Sequence, residues 1–125
     1  MNRESYLRAF GEYFDRAEFA CKCGCGFDVV DAELLEALQA IRAHYLAPVI
    51  IHSGCRCSPH NFSVGGSEYS QHVLGKAVDF SIPGIQPQDI AAHLVMTYPT
   101  SCGIGLYNSW VHFDVRDTFA RWGFN

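Results

Sequence analysis

The chain has 125 residues, 49% of them apolar and 18% charged, with a formal net charge of −4. That length holds one domain around one core, and the composition excludes a disordered chain. The acid excess, with no Lys/Arg cluster, speaks against nucleic-acid binding, and no apolar run reaches the ~18 residues that a membrane span needs.

The opening segment MNRESYLRAFGEYF has no apolar h-region followed by a small-residue cleavage site, so no signal peptide is expected and synthesis in the cytoplasm is. Tyr6, Leu7, Phe10 and Phe14 recur at helical spacing and predict a first helix over about 4–14. A loop, CKCGCG, follows. Its Cys21, Cys23 and Cys25, the pair Cys55 and Cys57, and the isolated Cys102 make a poor match to the C-x2-C spacing of structural zinc sites. With no signal peptide, buried or reduced thiols are expected in preference to a disulfide framework.

Asp31 is a suitable N-cap for AELLEALQAIRAHYL, where Leu34, Leu38, Ile41 and Tyr45 form one apolar stripe and Pro48 ends the helix. VIIHSG is short, β-branched and closed by Gly54, and reads as a strand. Residues 55–69, rich in Ser, Gly, Pro and Asn, read as a loop. KAVDFSI is an alternating strand ended by Pro83-Gly84. Pro87 opens a second helix over about 88–98 with Ile90, Ala91, Leu94 and Tyr98 inward, and GIGLY and WVHFDV are the last strand candidates. No repeat or linker divides the chain, so residues 1–125 are expected to form a single α+β domain with a small, largely antiparallel sheet packed with helices.

Alternation along the strands says which side chains share a face. With Val78, Phe80 and Ile82 on the core, Asp79 points the other way; with Val111, Phe113 and Val115 on the core, so do Trp110, His112 and Asp114. Six residues lie between His72 and Asp79, and a bend at Gly75 would bring both to one point. Two imidazoles and a carboxylate are a ligand set of catalytic zinc, whose bound water reaches a pKa near ~7. By spacing alone, a structural reading of these residues is as good.

SGCRCSPHN, then SQHVLGKAVDF, then WVHFDVR, together resemble the zinc D-alanyl-D-alanine carboxypeptidase family, which includes phage peptidoglycan endopeptidases and shares the Hedgehog/DD-peptidase fold. The resemblance runs from about Phe19 to Trp122, and its most specific part is H-x-x-G-x-A-x-D, carried by His72, Gly75, Ala77 and Asp79. It implies Zn2+ held by His72, Asp79 and His112. It also implies that Arg56 of the SGxR turn holds a substrate oxygen, and that Ser70 and Gln71 line the substrate groove. His60 in the PHN turn and Trp110 are further substrate-binding candidates. The implied activity is hydrolysis of peptidoglycan stem or crosslink peptides. A monomer is expected, and the small size and missing signal suit a phage- or prophage-encoded lysin released to the cell wall, although an intracellular dipeptidase would look the same in sequence.

One position departs from the family. The acidic general base expected three residues before the last His is Ser109 here. Asp114 either takes the base role or fixes the His112 ring, and Glu68 is a weaker candidate base. The departure keeps a rival open: a non-catalytic, zinc-containing cell-wall binding module, as in Hedgehog. A non-haem iron oxygenase, which shares the two-His-one-carboxylate set, fits poorly because its first His and acid are usually separated by one residue.

Overall fold

The computed structural model describes residues 13–124. The first helix expected from the sequence lies outside them except at its end, where Phe14 is buried and its ring packs 5.9 Å from that of Phe19.

Helix α1, Ala32–Tyr45, starts where Asp31 caps it: the carboxylate accepts from the N–H groups of Glu33 at 2.8 Å and Leu34 at 3.3 Å. It ends at Leu46, which takes the left-handed conformation with φ 52°, before the chain reaches Pro48. Strand β1 is Ile50–Ser53. The stretch read as a loop contains a short helix, α2, Ser58–Ser63, with Pro59 in its first turn, where a missing N–H costs nothing. Strand β2, Ala77–Ser81, precedes α3, Pro87–Thr97, which opens on its proline. Strands β3, Gly103–Leu106, and β4, Val111–Asp114, form a hairpin. A fifth strand absent from the sequence reading, β5, Ala120–Trp122, pairs parallel to β3.

The sheet runs β1-β2-β4-β3-β5, antiparallel except at that last pair. Val78, Phe80, Ile104, Val111 and Phe113 bury one face against Leu34, Leu38 and Ile41 of α1 and Ile90 and Leu94 of α3. Each such side chain contributes ~1.5–3 kcal/mol by leaving water. The opposite face carries Asp79, His112 and Asp114. No described helix is long and apolar enough to cross a membrane.

Candidate metal centre

The β2–β4 register sets Asp79 directly opposite His112 and Ala77 opposite Asp114. His72 arrives from a separate element, the 3-10 turn Gln71–Leu74, capped by Ser70, whose hydroxyl accepts from the His72 N–H at 3.2 Å. Gly75, with φ 70°, then turns the chain toward β2. His72 is 2% exposed, and its Nδ1 lies 2.7 Å from the carbonyl of Gly54.

The ring partners determine where the lone pairs point. A carbonyl only accepts, so Nδ1 of His72 carries the hydrogen, and Nε2 faces Asp79 Oδ1 at 3.4 Å. His112 is reversed: its Nε2 lies 2.7 Å from Asp114 Oδ2, and its Nδ1 faces Asp79 Oδ1 at 3.1 Å. With neutral rings, two nitrogen lone pairs and a carboxylate oxygen converge on one point, an arrangement that repels unless a cation sits among them. Where no metal is bound, ring protons take the place of that cation and the contacts become hydrogen bonds to Asp79. Burial by itself would raise the Asp79 carboxyl, but hydrogen bonds from His112 and His72 hold it well below the usual carboxylate range. Burial would lower the His112 imidazole, but Asp114 and Asp79 push it up.

The set fits zinc. Bonds of ~2.0–2.1 Å in tetrahedral geometry place ligand atoms about 3.3 Å apart, beside the 3.1 and 3.4 Å separations of the two nitrogens from Asp79 Oδ1. The three ligand atoms all lie within 4.8 Å of one another. A family model described as Peptidase M15 matches residues 12–114. The chain belongs to the peptidase M15 family. Among curated proteins, none matches it. M15 members are zinc peptidases, so the family and the His-Asp-His constellation agree on a metallopeptidase.

In this M15 domain the centre forms part of an open cavity of about 490 Å³. Arg56, Ser70 and Gln71, all singled out from the sequence, line it. The Arg56 guanidinium is held on three sides: Nη2 donates to Asp79 Oδ2 at 3.4 Å, Nη1 to Asn61 Oδ1 at 3.2 Å, and Nε to Ser53 Oγ at 3.2 Å. Asn61, 3% exposed, also donates to the Ser67 carbonyl at 2.7 Å, so it ties the arginine to the loop that rims the cavity.

Asp114 sits behind His112 and does not line the cavity; it is fully buried. Arg116 grips it with Nε at 2.8 Å and Nη2 at 2.7 Å, and the Gly103 N–H donates to it at 3.1 Å. Burial would raise this carboxyl too, but Arg116 and His112 hold it well below the usual range. A Cβ on Gly103 would lie 2.2 Å from Asp114 Oδ2, and one on Gly105 2.3 Å from the Trp122 ring. The two glycines of GIGLY thus make room on the site face for a carboxylate and an indole.

Three further residues singled out from the sequence lie elsewhere. Trp110 stacks on Tyr107, with centroids 4.7 Å apart, and lines a neighbouring groove with Ser109, Ser81 and Asp79. His60, on α2, lines neither cavity. Glu68 faces an apolar pocket with Phe62 and Val73. The sequence reading missed Trp122, whose ring packs 4.9 Å from that of His112, together with Arg116, Tyr69 and Asn61. The glycine alternation in β3 was the available signal for Trp122.

Proposed function

We propose that this M15 domain hydrolyses stem or crosslink peptides of peptidoglycan, using zinc held by Nε2 of His72, Nδ1 of His112 and Oδ1 of Asp79. The observation that carries the reading is the convergence of those three atoms on one point in a cavity that also presents a guanidinium. Zinc bound there would supply an activated water at neutral pH and polarise the scissile carbonyl.

The chain's own residues account for the rest. Arg56, fixed by Asn61 and Ser53, takes the substrate's carboxylate or the oxygen of the scissile carbonyl as negative charge develops on it. Because Tyr107 Oη accepts from the Trp122 indole N–H at 3.0 Å, its own hydrogen is left for a substrate acceptor. Ser70 and Gln71 offer hydrogen bonds to the peptide backbone. Asp114 acts through His112 by holding the ring so that Nδ1 points at the metal, a positioning role and not that of a base.

One observation favours a second reading, a zinc-containing wall-binding module without turnover. Among the described residues that line the cavity, Asp79 is the only carboxylate, and Ser109 stands where the family's base is expected.

The test is to incubate the zinc-loaded protein with purified peptidoglycan and follow new amino termini and free D-Ala by mass. Release that stops with a chelator and returns with zinc supports the peptidase. D-Ala alone names carboxypeptidase action, and internal fragments name endopeptidase action. Zinc-loaded protein that binds the wall and releases nothing would establish the binding module instead.

A further inference from the structure

Four of the six cysteines meet at a second point, on the side of the Arg56 turn that faces the N-terminal loop. Sγ of Cys21 lies 3.4 Å from that of Cys23 and 3.7 Å from that of Cys57, and Cys23 and Cys57 are 3.6 Å apart. Cys25 completes the group, with all four sulfurs within 4.8 Å of one another. None of the six cysteines is in a disulfide. We infer that Cys21, Cys23, Cys25 and Cys57 form a structural metal site that takes Zn2+ as four thiolates.

The spacing carries the inference. Zinc–sulfur bonds of ~2.3 Å in a tetrahedron put the sulfurs about 3.8 Å apart. Three near-equal separations make one face of such a tetrahedron; disulfides would draw two sulfurs to ~2.0 Å and leave the others aside. The backbone is shaped for it. In an extended strand, residues 21, 23 and 25 would share a face but stand about 7 Å apart in turn. Here Gly24 and Gly26, with φ 81° and 91°, curl the chain, and the Gly24 N–H closes a turn on the Cys21 carbonyl at 3.2 Å. The Cys57 N–H donates to Cys21 Sγ at 3.4 Å, as suits a thiolate.

The remaining two cysteines are engaged differently. Cys55 is buried and donates to the carbonyls of Phe19 and Phe27 at 3.2 and 3.1 Å, and Cys102 is buried across the sheet. Residues 22–26, by contrast, are all exposed, so no apolar packing holds this loop. A metal supplies that restraint. It also bears on the first centre. The loop joins the turn at Gly54, which packs on the Phe19 backbone and gives its carbonyl to His72, and at Cys57, next in the chain to Arg56. Each thiol gives its proton to solvent as its sulfur binds, and the filled centre has a net charge of −2.

The experiment compares metal content and cobalt spectra of the whole chain. Native protein is expected to hold two zinc ions and, with Co2+, to show the near-ultraviolet thiolate-to-cobalt band. The double variant Cys23→Ser/Cys25→Ser, at two exposed positions, is expected to hold one zinc and lose the band. His112→Ala is expected to hold one zinc and keep it. Alkylation of native protein provides a readout that needs no variant: zinc should protect four thiols. One zinc in native protein without the thiolate band, or an intact mass showing a disulfide among the four, would overturn the second site and leave the His-Asp-His reading standing.

Discussion

On one side of the His-Asp-His centre, Asp79 and His112 face each other across the β2–β4 ladder, with Asp114 locked behind them by Arg116 and Gly103. On the other side, His72 and Arg56 hang from turns, placed by the Gly54 carbonyl, the Ser70 cap and the Asn61 amide. The sheet side is built into the folding of the domain, since its register is also the register of the core residues Val78, Phe80, Val111 and Phe113. The loop side rests on a few side-chain bonds that can fail while the core stays intact. Damage to the first should therefore appear as lost stability and lost metal, and damage to the second as lost turnover at Arg56 or weaker zinc binding at His72 in a protein that stays folded.

The largest effect is expected on the loop side. Arg56→Ala removes the guanidinium proposed to hold the substrate oxygen, and kcat should fall ~100–1,000-fold, as when an oxyanion donor is lost. Zinc content and thermal unfolding should stay near native; a variant that loses its zinc would show that Arg56 belongs to the sheet side through Asp79.

Gly103→Ala tests the sheet side. Its Cβ would meet the fully buried Asp114 carboxylate at 2.2 Å, and either the ladder or the ion pair must give. A loss of ~3 kcal/mol in denaturant unfolding is expected, the upper range for overpacking. Unchanged stability would mean that the face is looser than the contacts imply.

Asp114→Asn keeps the shape but removes the charge that holds Nε2 of His112. Zinc affinity, read by competition with a chromogenic chelator, should drop ~10–100-fold. The smallest effect is expected from Ser70→Ala, which removes the cap of the 3-10 turn that carries His72. A cap is worth about 1 kcal/mol, so zinc affinity should fall by less than ~10-fold.

The same division explains how much of the molecule could be read from the sequence. Helices α1 and α3 announced themselves through Asp31, Pro87 and their apolar stripes, and alternation in KAVDFSI and WVHFDV put Asp79 and His112 on one face. These are local signals. Helix α2 was hidden because Ser, Pro, His and Asn read as loop, although a proline is at home in a first turn. Strand β5 has three residues, no alternation and a parallel partner distant in sequence, so Trp122 and its packing on His112 were not legible. The clamps on Arg56 and His72 involve Asn61 and the Gly54 carbonyl, a backbone group that carries no side-chain signature. The cysteine spacing argued against a zinc site because the sequence pattern did not show the curl at Gly24 and Gly26, nor the arrival of Cys57.

The central claim is that zinc binds through Nε2 of His72 and Nδ1 of His112, on opposite nitrogens of the two rings. Nitrogen-15 NMR of histidine-labelled protein, recorded as zinc is added, reads this directly. Metal-bound shifts are expected at Nε2 of His72 and Nδ1 of His112, with the protons kept at Nδ1 of His72, facing Gly54, and at Nε2 of His112, facing Asp114. Zinc on Nε2 of both rings, or no change at either, would contradict the claim.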